Sequence, residues 1–114
     1  MKIAEIVDLI GAKVVCGMEL LERDIQHAFS SDLLSDVLTL NRSGIMLITG
    51  VANLQTIRTA EMAEVSCILL VRNKKSNEEM IKLAEANRLV IVESSGSMFG
   101  ISGKLYEAGI KPLF

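Results

Sequence analysis

Tryptophan is absent from this 114-residue chain, tyrosine, histidine and proline occur once each, and phenylalanine occurs three times. An interior cannot be built from rings with so few of them, so it has to come from Ile, Leu, Val, Met and Ala, as in a buried sheet flanked by helices. No apolar run is longer than Cys67-Ile68-Leu69-Leu70-Val71. That is far short of the roughly 20 residues needed to cross a bilayer. The start Met1-Lys2-Ile3-Ala4-Glu5 has no signal-peptide core, which predicts a cytoplasmic protein with no membrane partner. Charge of one sign is lacking too: 12 basic against 14 acidic residues give −2, with no long-range pull on a phosphate backbone, so no nucleic acid is expected. Cys16 and Cys67 each sit inside an apolar stretch and read as buried free thiols.

Catalytic parts are equally scarce. His27 falls in a stretch that reads as a strand, where a lone imidazole is a neutral side chain before it is a base. The acidic pairs Glu19 with Glu22 and Glu78 with Glu79 fall on turns and helix starts, where they favour the helix dipole. Without a cluster of histidines, cysteines or carboxylates, hydrolytic and metal-assisted mechanisms lack their components. The expectation is a non-enzyme with no cofactor and no metal.

What the chain does contain is a repeat. The runs Ile45-Met46-Leu47-Ile48, Cys67 to Val71 and Leu89-Val90-Ile91-Val92 begin at positions 45, 67 and 89, equal intervals of 22 residues. Each leads through a polar loop into a stretch of helical period, so a strand-helix unit is written three times in one domain covering 1–114. The predicted strands are 45–49, 67–71 and 89–93. Asn53 is placed to cap a helix that turns Leu54, Ile57, Ala60 and Ala63 toward the sheet. Ser76-Asn77-Glu78-Glu79 has the Ser-x-x-Glu spacing of a capping box ahead of a helix at 77–87 burying Met80, Ile81 and Ala84. Met98, Ile101, Leu105 and Ala108 mark the face of a last helix, ended by Gly109 and kept from regrowing by Pro112.

Upstream, Ile3, Ile6, Val7 and Ile10 predict a helix over 2–10 stopped by Gly11. Val14-Val15-Cys16 reads as a strand, and 24–29 alternates apolar with polar as a half-exposed or edge strand does. Ser30 and Ser31 are placed to cap a helix with Asp32 in its first turn and Leu33, Leu34, Val37 and Leu38 on its apolar face, ending between Asn41 and Gly44.

Continuous apolarity in the three repeat strands implies a mostly parallel central sheet with helices on both faces. In such α/β sheets ligands sit beyond the carboxyl ends of the strands. There the loops would offer Thr49, Gly50 and Asn53, then Arg72, Lys74 and Lys75, then Ser94, Ser95, Gly96 and Ser97. Small residues let a ligand approach the backbone, helix N-termini supply N–H groups, and the basic loop supplies cations, a combination suited to an anionic small molecule or nucleotide. Ser, Asn and Gly serve equally for capping and tight turning in any strand-to-helix loop. Gly100 to Leu105 ends in Gly-Lys-Leu, yet Met98 and Leu105 stand where a phosphate-binding loop needs Gly and Ser or Thr.

Three segments carry a family resemblance: Leu47-Ile48-Thr49-Gly50 after an apolar strand, Leu69-Leu70-Val71 one helix later, and Leu89-Val90-Ile91-Val92 leading to a polar turn with Phe99. From about Ile3 to Ile110 the order of elements resembles the DRTGG domain, and through it the N-terminal domain of HPr kinase/phosphorylase. Val51 and Ala52 stand where that family continues into Asp-Arg, Arg72-Asn73-Lys74 where it has Thr-Gly-Gly, and Ser97-Met98-Phe99 where its last loop often has Asp-Thr-Phe. The resemblance implies a regulatory or binding module without kinase activity of its own, acting as a sensor or as a subunit docked on a partner enzyme. It is also compatible with a homodimer joined through the 24–29 edge.

Overall fold

The computed structural model describes all of residues 1–114. In chain order the elements are α1 (Ile3–Ile10), β1 (Lys13–Cys16), a 3-10 turn (Met18–Leu20), β2 (His27–Ser30), α2 (Leu34–Val37), β3 (Met46–Thr49), α3 (Leu54–Met62), β4 (Cys67–Leu70), α4 (Glu78–Ala86), β5 (Val90–Glu93), α5 (Met98–Glu107) and β6 (Lys111–Pro112). The strands form one sheet in the order β1-β5-β4-β3-β2-β6. Only β1 runs antiparallel, against β5; every other pair is parallel.

All residues of β3, β4 and β5 are buried because the sheet is covered on both sides. Alternate residues divide between two cores. Met46, Ile48, Cys67, Leu69, Val90 and Val92 face α1 and α5, packing on Ile3, Ile6, Ile101 and Leu105. Leu47, Ile68, Leu70 and Ile91 face the other way, onto Val37, Ile57, Ala60, Met80 and Ala84 of α2, α3 and α4. Strands β2, β3 and β4 therefore lead to helices on one face and β5 to a helix on the other, so the chain changes face between β4 and β5.

The repeat extends to the helix ends. Glu64 and Arg88, with φ of 57° and 54°, take the left-handed position that follows α3 and α4. The next N–H in each case returns to a carbonyl five residues back, Val65 to Ala60 and Leu89 to Ala84, both at 2.9 Å. At the opposite edge a Cβ on Gly17 would stand 2.8 Å from Val90 Cγ2 and 3.0 Å from Val90 Cα, so only glycine lets the chain leave β1 so close to β5.

Three expectations change. The strand expected at 24–29 occupies His27–Ser30 and is not an edge: Lys111 and Pro112 pair with His27 and Ala28 as a sixth strand. Pro112, beyond the end of α5, thus closes a short outer strand that Lys111 begins, where its missing N–H costs no ladder bond. Helix α2 is a single turn, because Ser31 Oγ binds the N–H of Leu33 at 3.0 Å and Thr39 Oγ1 binds Asp36 O at 2.7 Å, local bonds that compete with a longer helix. The α4 cap is Asn77, whose side chain accepts from Met80 N–H at 2.9 Å, while Ser76 turns away to another partner. Both cysteines are free and buried, and burial pushes the Cys67 thiol far up, leaving it neutral and inert.

Candidate functional site

The loops after β3, β4 and β5 gather at one end of the sheet. Between β4 and β5, where the chain changes face and an α/β sheet opens its crevice, the loops are stitched together. Arg72 N–H donates to Gly96 O at 2.7 Å, Asn73 N–H to Ser94 O at 3.0 Å, and Gly96 N–H to Ser94 Oγ at 3.1 Å. Arg72 and Asn73 achieve this in left-handed conformation, φ 57° and 61°. Beneath them Glu93, only 6% exposed, accepts from Ser76 N–H at 2.8 Å and Ser76 Oγ at 2.6 Å, with Lys75 Nζ 3.7 Å away. Burial pushes the Glu93 carboxyl up, but the two Ser76 bonds and the charges of Lys75 and Lys13 outweigh it, so its pKa lies below the ordinary value.

Between β2 and β3 the arrangement is more open. Asp32 Oδ1 accepts from Thr49 Oγ1 at 3.0 Å and from Gly50 N–H at 2.7 Å, tying the exit of β2 to the exit of β3. Thr49 Oγ1 in turn accepts from Val51 N–H at 3.2 Å. A Cβ on Gly50 would lie 3.3 Å from Arg72 Nη2, 3.5 Å from Arg72 Nε and 3.5 Å from Asp32 Oδ1. The guanidinium therefore lies across a residue that has no side chain to displace it. The ion pairs of the protein join Met1 to Asp24, Lys2 to Glu22, Lys75 to Glu93 and Lys82 to Glu78, and Arg72 takes part in none of them.

The residues expected to meet a ligand thus divide. Asn53 caps α3 by accepting from Thr56 N–H at 3.1 Å, and Ser97 caps α5 by accepting from Gly100 N–H at 3.0 Å. Thr49, Ser94 and Gly96 are likewise engaged within the fold. Left facing solvent are the Arg72 guanidinium, Lys74 and Ser95, all exposed. Asp32 joins the site from outside the expected set. Its bonds reach residues 17 and 18 positions away, and its place next to a capping serine carried no signal of them. No three of the His, Cys, Asp and Glu side chains come together as a metal set. No helix is long and apolar enough to cross a membrane. Gly100 to Leu105 lies inside α5 and forms no loop. A polar hollow of about 510 Å³, with Arg23, Glu64 and Arg88 in its wall, lies at the opposite, amino end of the strands.

Residues 5–108 match the DRTGG domain. Among solved structures, the chain is similar to the crystal structure of the CBS and DRTGG domains of the regulatory region of Clostridium perfringens pyrophosphatase, complexed with its activator, diadenosine tetraphosphate. The TM-score is 0.78 at 14% identity, a likeness of fold, and it covers 96% of this chain and 47% of that one. The chain therefore spans about half the length of that structure. No curated protein matches.

Proposed function

The chain belongs to the DRTGG domain family, and we propose that it is a non-catalytic regulatory module that senses an anionic small molecule, a nucleotide or related phosphate compound, at the carboxyl ends of its parallel strands. The observation that carries this reading is Arg72. Its left-handed backbone donates to Gly96 O while Asn73 beside it donates to Ser94 O, and its guanidinium lies over Gly50 without forming an ion pair, the Asp32 carboxylate that faces the same glycine being engaged by Thr49 and Gly50. A planar, always-charged fork left free at such a mouth is suited to phosphate or carboxylate, which it can bind with two parallel hydrogen bonds. Lys74 and Ser95, exposed on the same two loops, add a mobile cation and a hydroxyl. The relative of similar fold is regulated by a nucleotide activator, which agrees with the same class of ligand.

Because the Arg72 backbone is bonded to Gly96, a ligand drawing on the guanidinium acts on the loop that starts α5. An anion that favours one arrangement of these loops would shift the population of the whole edge. The signal would pass to a neighbouring domain or subunit in the cytosol, a setting in which two unpaired thiols are ordinary. The exposed Leu33 and Leu38, at either end of α2, favour a second reading in which the main task is contact with a partner enzyme or a second copy. Sedimentation and pull-down test that reading, and a strict monomer without a partner would remove it.

The sensor reading is tested by chemical and thermal unfolding with ATP, diadenosine tetraphosphate and tripolyphosphate, on the wild type and on Arg72→Ala. Saturable stabilisation of about 2.7 kcal/mol is expected at a hundredfold excess over Kd, with Arg72→Ala needing at least tenfold more ligand. Absence of any shift with all three probes overturns it.

A further inference from the structure

Of the aromatic residues only Phe29 packs against a core, half-buried on the α2-α3-α4 side, and the others stand at the surface. The chain has four, and three of them, Phe29, Tyr106 and Phe114, line a single cavity of about 250 Å³ between α5 and the β2-β6 edge. Tyr106 and Phe114 remain 69% and 88% exposed, so they are not there to fill an interior. Phe29 and Phe114 meet edge to face with centroids 6.0 Å apart. The fourth, Phe99, is 90% exposed on the same helix. Phe99, Ser102 and Tyr106 follow the spacing i, i+3, i+7, which puts them on one face of α5. In the wall of the cavity the Ser30 and Ser102 hydroxyls meet at 2.7 Å, an exposed polar pair beside mostly apolar residues.

This aromatic stripe leads toward the free cation. Ile48 lines the cavity, and Gly50, two residues along the exit of β3, lies beneath the Arg72 guanidinium. Two residues of extended chain span about 7 Å. Phe99, at the upper end of the stripe, is three residues from Gly96, the acceptor of the Arg72 N–H. A flat ring in the cavity and an anion at Arg72 are therefore within reach of one small molecule. Drug-sized ligands usually occupy roughly 300–1,000 Å³, so this cavity admits one ring system and leaves the remainder of the ligand outside.

We propose that this cavity is the base subsite of the sensor: a nucleobase is held between Tyr106 and Phe114, with its edge on the Ser30–Ser102 hydroxyls, while the phosphates run to Arg72. The proposal rests on the anion-sensing reading and narrows its ligand class to nucleotides, since a ring without an anion, or an anion without a ring, uses half of the surface. Stacking on aromatic side chains holds a base by its face, whatever its identity. The hydroxyl pair, able to donate and to accept, suits the polar edge of a base.

The test measures binding of ATP, adenosine and tripolyphosphate by calorimetry, on the wild type, Tyr106→Ala, Ser102→Leu and Arg72→Ala, with NMR perturbation of Ile48, Leu105 and Ile110 methyl groups. Tyr106 is exposed, so its removal leaves the fold intact, and Ser102→Leu fills the cavity from the helix side. The expected result is that ATP shifts those methyl signals and that both cavity variants bind ATP at least tenfold more weakly while binding tripolyphosphate as the wild type does. Unchanged ATP affinity in both variants, or ATP perturbing only the residues around Arg72, overturns the base subsite and leaves the anion site standing. Failure of all three probes on the wild type overturns both. Concentration-dependent broadening of the same methyl signals without nucleotide, together with a dimer in sedimentation, would show a second copy in the cavity and also overturns the proposal.

Discussion

The two halves of the carboxyl edge use the same kinds of residue to opposite ends. On the β4-β5 side, serines, a glutamate and left-handed backbone are spent on one another: Ser76 on Glu93, Ser94 on Gly96, and the N–H groups of Arg72 and Asn73 on the carbonyls of the next loop. On the β2-β3 side, Asp32 fastens Thr49 and Gly50, and a guanidinium lies over the same glycine without an ion pair of its own. A polar loop at a strand end is thus no evidence of a ligand until its donors and acceptors are accounted for. The free group is informative because its neighbours are satisfied. The stitched half holds still the backbone from which the open half presents Arg72.

That contrast can be broken or sharpened by substitution. The largest loss of stability belongs to the closed half. Glu93→Gln keeps the shape but removes a buried charge that holds two donors, and is expected to cost about 2 kcal/mol in denaturant unfolding at pH 7. The same group sets a pH dependence. Its pKa is lower folded than unfolded, so its stabilisation is complete above the unfolded value, near ~4.3, and is lost as pH falls through the folded value. The stability gap between the wild type and Glu93→Gln should therefore narrow as pH falls below about 4.3. A penalty that stayed constant with pH would show that the Glu93 charge is not what holds the Ser76 loop.

Asp32→Ala comes next. It leaves the buried Thr49 hydroxyl and Gly50 N–H without their acceptor, and a loss of about 1 kcal/mol is expected, together with weaker anion binding because the floor under Arg72 loosens. A stable Asp32→Ala that binds as the wild type does would place Arg72's support wholly in the β4-β5 half. The smallest effect has the opposite sign. Asn73→Gly relieves a left-handed residue and should raise stability by about 0.5 kcal/mol, leaving binding unchanged, as hydrogen exchange and calorimetry can check.

The sequence revealed the parts of this molecule that depend on burial and local geometry. Strands covered on both faces must be apolar throughout, and three of them at a constant interval disclosed the parallel sheet and the end at which its loops gather. Asn53, Gly11 and Gly109 were legible because a helix end needs its cap within three residues, whereas Ser97, read as a ligand residue, proved to be the cap of α5. Partners distant in sequence were not. The Ser-x-x-Glu spacing at Ser76 fitted a capping box, but Glu93, 17 residues away, offered the hydroxyl a buried carboxylate, and Asn77 took the cap. Asp32 looked like the first turn of a longer helix. The 24–29 alternation suggested an open edge because Lys111-Pro112, seen only as a helix stop, gave no sign of returning beside β2. Of the candidate site, the end of the sheet at which the loops gather was legible, whereas the division between engaged and free residues rests on hydrogen bonds between loops far apart in sequence.

The most direct test of the account is the Kd for ATP of Arg72→Ala against wild type, measured by calorimetry beside the urea midpoint of each protein. Arg72 makes no ion pair within the fold, so the account predicts an unchanged midpoint with ATP bound at least tenfold more weakly. Equal affinity in the two proteins would contradict it, and so would a midpoint that fell as far as that of Glu93→Gln.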